Sequence, residues 1–216
     1  MELIQVDPAH PEAEPLRRAA EAVMRGGVIA FPTDTLYGLG CSLFDVSAVE
    51  MVARLKRRDP SLAVISLIPE PGQAHGLAGE VSEVAERLMA ECWPGPLSLI
   101  FRAAPIVPAR VRGAGGTVAL RCPKDALCMA LLDRIGGPVV SSSANLSGQR
   151  PAETAAEVVA IFGNQLDLVL DGGPRSGGLA STLVDVSGAR PRLLRRGALE
   201  VAALLGDFED LTRPDG

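Results

Sequence analysis

The sequence predicts an α/β domain with a mixed β-sheet. Three observations carry this. The apolar period switches between helical and strand spacing along the whole chain, with no internal repeat and no low-complexity linker. The order is βαβ early, followed by neighbouring strands around 97–121 and 182–195, which calls for antiparallel pairs beside parallel ones. The length, 216 residues, suits one domain of this class.

The elements follow in chain order. Leu16, Ala19, Ala20, Val23 and Met24 share one helical face, and Gly26-Gly27 stops that helix. Val28–Phe31 reads as a short buried strand, Ser47–Arg57 as a helix and Leu62–Ile68 as a strand. Val81, Val84, Ala85, Leu88, Met89 and Cys92 make the clearest amphipathic helix, ended by Pro94-Gly95-Pro96. Strands are expected at Leu97–Arg102 and Thr117–Arg121, a helix from Asp125 to Ile135 before Gly136-Gly137, and a strand at Val139–Ser142 that runs into a serine-rich loop. Thr154 and Glu157 form a capping box for a helix through Phe162. Strands at Leu168–Leu170, Thr182–Val186 and Arg192–Arg195 complete a count of about eight strands and five helices.

Composition excludes several classes. Hydrophobic residues are 47% and charged residues 22%, as in globular proteins, so disorder is a poor reading. Aromatics are 3%, too few for a surface that stacks RNA bases. A net charge of −5 argues against binding nucleic acid by bulk charge, although a local basic patch remains open. The N-terminus lacks a basic segment followed by an apolar one, so no signal peptide is expected, and the apolar runs are too short to span a membrane. Cys41, Cys92, Cys122 and Cys128 form no CxxC pair and the only histidines are His10 and His75. These cysteines read as reduced thiols of a cytoplasmic protein rather than as zinc ligands.

Several segments concentrate polar chemistry. Phe31 to Cys41 places two threonines, an aspartate and a tyrosine after a strand, with Gly38 and Gly40 allowing close backbone approach; it reads either as a ligand loop or as an Asx-type turn leading into a helix. Lys56-Arg57-Arg58 ends a helix, as a solvated cap or as a triphosphate clamp. Val139 to Gly148 runs from an apolar strand into three serines, Asn145 and Gly148, which suits an anion cradle of backbone N–H groups and hydroxyls, or a capped turn. A serine nucleophile is disfavoured by the missing GxSxG elbow and the scarcity of histidine. Arg121, at the end of an apolar strand, needs a carboxylate, either an internal one or a ligand's. Gly172 to Gly178 reads as a mobile loop that delivers hydroxyls at Ser181-Thr182, and its spacing fits neither a Walker A nor a Rossmann fingerprint. Arg195-Arg196 ends the last strand. Hydroxyls, amides and scattered cations suit a nucleotide and a small anion, with catalysis by positioning and charge stabilisation.

In this order the motifs PTDTLYGLG, Lys56-x-Arg58, PGPLSLI, TVALRCP, SSSANLSG, STLVDVS and LLRRG resemble the YrdC family, the threonylcarbamoyl-AMP synthases, over about residues 13–200. The resemblance implies a single twisted domain over 1–216, with a largely open sheet, a large groove and a short C-terminal tail, as in the short form of the family. It implies synthesis of threonylcarbamoyl-adenylate from L-threonine, bicarbonate and ATP with release of pyrophosphate. Other proteins would then transfer the threonylcarbamoyl group to tRNA. By motif, Thr35, Arg121 and Ser181 would hold L-threonine. Lys56, Arg58, Thr117, Ser141, Ser143, Asn145 and Arg195 would hold ATP, with Lys56, Arg58 and Ser143 acting in catalysis. Mg²⁺ would be held mainly by ATP, with no metal ligands from the protein. The chain departs from the family pattern at Asp59 and Leu62 after the Lys-x-Arg motif, and at Arg196 in LLRRG, where Arg57 and Arg196 could compensate. The alternatives are an RNA-binding module of the same fold, with a weak tRNA contact through its basic groove, and a paralogous carbamoyl-adenylate enzyme with another acceptor.

Overall fold

A computed structural model describes residues 1–58, 64–175 and 178–212. Asp59 and Leu62 lie outside these residues. The elements are β1 (Glu2–Gln5), α1 (Ala13–Met24), β2 (Ile29–Pro32), β3 (Tyr37–Ser42), α2 (Val46–Leu55), β4 (Ile65–Leu67), α3 (Ala74–Leu77), α4 (Glu83–Cys92), β5 (Leu97–Arg102), β6 (Thr117–Arg121), α5 (Ala126–Ile135), β7 (Val139–Ser143), α6 (Ala155–Phe162), β8 (Leu168–Asp171), β9 (Thr182–Asp185), β10 (Arg192–Arg195), α7 (Ala202–Leu205) and β11 (Glu209–Asp210). The strands form one open mixed sheet in the order β1-β8-β2-β3-β7-β4-β6-β5-β9-β10-β11. As expected, β5 with β6 and β9 with β10 are antiparallel neighbours. Parallel pairs include β4 with β6 and β5 with β9. Among the described residues no helix is long and apolar enough to cross a membrane.

Helix termini follow local chemistry. Asp45, Ser82, Asp125 and Thr154 each accept a backbone N–H three residues on, and Gly136 closes α5 in the left-handed conformation. Helix α2 ends differently. The Arg57 N–H donates to Arg54 O and the Arg58 N–H to Ala53 O, a Schellman-type close. Its left-handed position is taken by Arg57 (φ 51°), the one non-glycine with positive φ among the described residues, where a side chain costs roughly 1–2 kcal/mol.

Alternate strand residues feed two cores on opposite faces. Ile29, Phe31, Leu168 and Leu170 pack under α1 and α5, whereas Val28, Ala30 and Val169 join the larger core on the side of α2, α4 and α6. The core under α1 and α5 takes in residues of β1, β8, β2 and β7 and reaches Leu67 of β4. Farther across, the same face of β4, β6, β5 and β9 forms the floor of a cavity.

Two expectations change. Met24 is exposed and Ala22 takes its place on the buried face of α1. Tyr37–Ser42, read as loop, is a strand that pairs with β2 on one side and β7 on the other. Gly38 and Gly40 hide it by lowering β propensity, yet they are what lets it pack. A Cβ on Gly40 would stand 2.5 Å from the Phe31 ring and 3.1 Å from Val140 O. Gly40→Ala should therefore destabilise the fold by roughly 1–3 kcal/mol in urea unfolding, the usual cost of overpacking a tight core.

Candidate functional site

The floor carries a cavity of about 500 Å³. Ile65 and Leu67 of β4, Ala119 and Arg121 of β6, Ile100 of β5, Leu183 of β9 and Ser141 of β7 line it. The ladder registers place these side chains on one face: Ile65 stands opposite Ala119 and Ser141, Leu67 opposite Arg121, and Ile100 opposite Ala119. Its walls come from the Thr33–Leu36 turn, the end of α2, the segment after β7 and the start of β9. Lys56, Arg58, Arg121 and Arg195 line it against one carboxylate, Asp34. A chain of net charge −5 thus surrounds this cavity with cations.

The Thr33–Leu36 turn closes the β2–β3 hairpin. Thr33 organises it: the Thr33 N–H and Oγ1 both donate to Leu36 O, and Oγ1 lies 3.3 Å from the N–H groups of Thr35 and Leu36. This is a threonine-based turn into a strand, not an Asx turn into a helix. It presents Asp34, whose carboxylate takes the Nη2 of Arg121 at 2.5 Å, while Arg121 Nε donates to Gly95 O at 3.0 Å. The internal partner left open by the sequence is therefore Asp34. Sequence reasoning placed Asp34 among the polar groups of a ligand loop but did not pair it with Arg121.

At the β9 end, Ser181 is buried and its Oγ lies 2.9 Å from Ser98 Oγ. Arg195 donates through Nε to Ser181 O and through Nη2 to Ser181 Oγ. Burial and the neighbouring Arg121 charge hold the Arg195 guanidinium below its usual value, so an anion between the two would relieve both. Gly197 makes this approach possible, since a Cβ there would fall 2.2 Å from Ala180 O. Arg196 turns away to Asp210 and Glu200.

Lys56 is the opposite of a solvated helix end: it is 4% exposed. Its ammonium donates to Ser143 O, Asn145 O and Asn145 Oδ1. Asn145 Oδ1 also accepts Ser143 Oγ–H at 2.6 Å, and Asn145 Nδ2 donates to Leu146 O and Gln149 O. Ser141–Ser143 is not a loop but the end of β7, paired with Gly38–Gly40. The N–H groups of Ala144, Asn145 and Ser147 are already donated to Tyr37 O, Ser143 O and Lys56 O. The expected cradle of successive amides is therefore not formed, and the Ser143 hydroxyl would have to leave Asn145 Oδ1 to donate to an anion. Gly38 leaves the Ser141 hydroxyl room, because a Cβ there would sit 3.0 Å from Ser141 Oγ.

Thr35, Arg121, Ser181, Lys56, Arg58, Ser141, Ser143, Asn145 and Arg195 are brought together in this lining, and Thr117 is not. Thr117 starts β6, four residues from Arg121, with its hydroxyl on Ala114 O. The Tyr37 phenol is also no ligand group: its side chain is buried and its hydroxyl donates to Gly173 O at 2.8 Å, with burial and Asp171 pushing it up to about 12. Cys128 lines the cavity, but full burial raises its thiol well above the usual range, which removes it as a nucleophile. Among the described residues no group of three or more His, Cys, Asp or Glu could hold a metal ion. The part of the 172–178 loop at residues 176–177 lies outside the described residues.

Burial and the Arg58 charge bring Lys56 down to about 8 from 10.5. Between these values the unfolded chain holds the proton that the folded chain has lost, so this contribution to stability rises with pH from about 8 to about 10.5. Urea unfolding of wild type and Lys56→Met across that window should show the wild-type advantage growing with pH. The comparison cancels the opposite trend of the buried cysteines. A flat difference would mean that Lys56 is not desolvated.

The family model for Sua5/YciO/YrdC, described as "Telomere recombination", matches residues 21–197. The threonylcarbamoyl-AMP synthase of Pyrococcus abyssi (strain GE5 / Orsay) is 34% identical over 196 residues, covering 89% of this chain and 58% of that protein. The threonylcarbamoyl-AMP synthase of Halorhodospira halophila is 37% identical over 182 residues, with 84% and 94% covered. The crystal structure of P. abyssi Sua5 complexed with L-threonine superposes with a TM-score of 0.91 at 33% identity, over 97% of this chain and 62% of that one. This chain thus spans about three fifths of the P. abyssi protein.

Proposed function

The chain belongs to the Sua5/YciO/YrdC family, and from that premise we propose that it makes threonylcarbamoyl-adenylate from L-threonine, bicarbonate and ATP and releases pyrophosphate. The observation that carries this reading is a cavity with two cationic ends and one carboxylate. Lys56 and Arg58 stand by the β7 hydroxyls, Arg121 and Arg195 by Ser181 and the hairpin turn, and Asp34 lies between a guanidinium and the opening. The relatives support it: they are threonylcarbamoyl-AMP synthases, and the P. abyssi protein was solved with L-threonine.

L-Threonine would place its carboxylate on the Arg121 fork, displacing or sharing it with Asp34, with Thr35 and Ser181 at its side chain and ammonium. Asp34 is the cavity's counter-charge for that ammonium. Threonine amine and bicarbonate combine to N-carboxy-threonine with loss of water. A carboxylate oxygen of that carbamate then attacks the α-phosphorus of ATP, the bond to the bridging oxygen breaks, and pyrophosphate leaves with the electron pair. Ser141 and Ser143 hydroxyls would meet the α-phosphate; Arg58 and Arg195 would face the charge that develops. Lys56, spent on three oxygens, would act chiefly by holding Ser143 and Asn145 in place. Thr117 would reach ATP only from outside the cavity lining. The cavity's one carboxylate is engaged by Arg121, so Mg²⁺ would sit on the phosphate oxygens of ATP, where it supplies charge neutralisation. The reading extends to a cytoplasmic single-domain enzyme over 1–216, whose product passes to proteins that transfer the threonylcarbamoyl group to tRNA.

The deciding assay follows pyrophosphate release with ATP and bicarbonate: it should appear only when L-threonine is added. Release without threonine would point to another acceptor, and no release with RNA bound instead would favour a binding module. Arg121→Lys keeps the charge but loses the fork, so the threonine KM should rise by the equivalent of roughly 1.5–3 kcal/mol with ATP binding little changed. Equal loss of both affinities would make Arg121 a structural residue.

Direct attack also predicts that Ser143→Ala lowers kcat by about 10-fold or more, the loss of one transition-state hydrogen bond, without abolishing turnover. A covalent route would instead leave a dead variant, and label from ATP on the denatured wild-type protein.

A further inference from the structure

A second cavity, of about 490 Å³, lies behind Arg58, between the end of α2 and the 105–112 segment. Its lining is Glu50, Arg54, Arg57, Arg58, Arg110 and Arg112 with Ala53. Among the described residues, five guanidinium groups and one carboxylate thus line one concavity on a protein of net charge −5. The one carboxylate is committed: Arg110 holds Glu50 through Nη2 at 2.6 Å and Nε at 3.2 Å. Arg112 is fixed by carbonyls rather than by charge, with Nε and Nη2 on Val107 O and Nη2 on Pro105 O. Like charges that line one cavity repel.

Arg57 supplies an independent observation. It occupies the left-handed position of the α2 cap, the place glycine serves without strain. Its side chain does not enter the main cavity, where it was expected to help bind ATP, but lines this one. A strained backbone position kept by a cation that faces other cations points to a ligand rather than to stability. We propose that this cavity is a second anion site that takes a condensed inorganic phosphate, with arginine forks matched to its non-bridging oxygens. A lining that gathers guanidinium groups around one cavity matches an anion that carries several charges. Arg58 borders both cavities, so the site lies where a leaving pyrophosphate would pass; that source, though not the site, rests on the synthase reading.

The test uses the full chain saturated with a non-hydrolysable ATP analogue, whose own binding is measured first. Pyrophosphate added in a calorimeter should then bind one further equivalent. Arg57→Gly combined with Arg110→Ala should weaken this equivalent at least tenfold while leaving analogue binding unchanged. Arg57→Gly alone should raise the melting temperature while weakening pyrophosphate, a combination that a purely structural arginine would not produce. Absence of the second equivalent, or equal affinity in the double variant, overturns the proposal. So does a single-stranded RNA oligonucleotide that displaces pyrophosphate at equal phosphate concentration. If the analogue itself fails to bind, the synthase reading fails, and the same variants titrated with pyrophosphate in the free chain still decide the second cavity.

Discussion

The buried ammonium of Lys56 is the contact on which the cavity depends. It joins the C-cap of α2 to the exit of β7 by donating to Ser143 O, Asn145 O and Asn145 Oδ1. A lysine taken out of water is costly unless its donors are satisfied, and here all three face oxygens. The same oxygens fix Asn145, which accepts the Ser143 hydroxyl and donates to the following turn. Ser147 returns a bond from its N–H to Lys56 O. One cation thus sets the wall of hydroxyls, and does so without being spent as a free charge in the opening.

The cavity lies on the face of the sheet that carries α1 and α5. Those helices pack on β1, β8, β2, β7 and Leu67 of β4, and the cavity floor continues over β4, β6, β5 and β9. A floor with apolar Ile65, Ile100 and Leu183 lowers the local dielectric, which strengthens the pull of Arg121, Arg195 and Arg58 on an anion. Asp34 moderates this by pairing with Arg121. That pair is only partly buried on the Asp34 side, so exchange for a ligand carboxylate asks little desolvation.

Three glycines set distances that no other residue would allow. Gly38 leaves room for Ser141 Oγ, Gly40 for the Phe31 ring, and Gly197 for the Ala180 carbonyl beneath Arg195. Each lets backbone approach where a Cβ would stand, and two of the three border groups that line the cavity.

Much was legible in the sequence because it depends on local pattern. Periodicity, glycine and proline stops and the Thr154–Glu157 capping box located α1, α4, α5 and α6 and the strands β5, β6 and β10, since these signals act within one or two turns. The polar segments that line the cavity were also visible as motifs. What only tertiary structure decided is which groups meet. The strand Tyr37–Ser42 exists because β2 and β7 pair with it on both sides, against its own glycine content. The ammonium of Lys56 turned inward because oxygens of residues 87 and 89 positions away satisfy it. The carboxylate for Arg121 came from Asp34, 87 positions back. Thr117 shares the face of Ala119 and Arg121 but stands at the far end of β6, with its hydroxyl on Ala114 O, and Arg57 was directed to the second cavity at a left-handed cap; neither is written in residue type. Hydrogen-bond saturation and desolvation are properties of neighbours in space, so a sequence names the candidates and the fold assigns their partners.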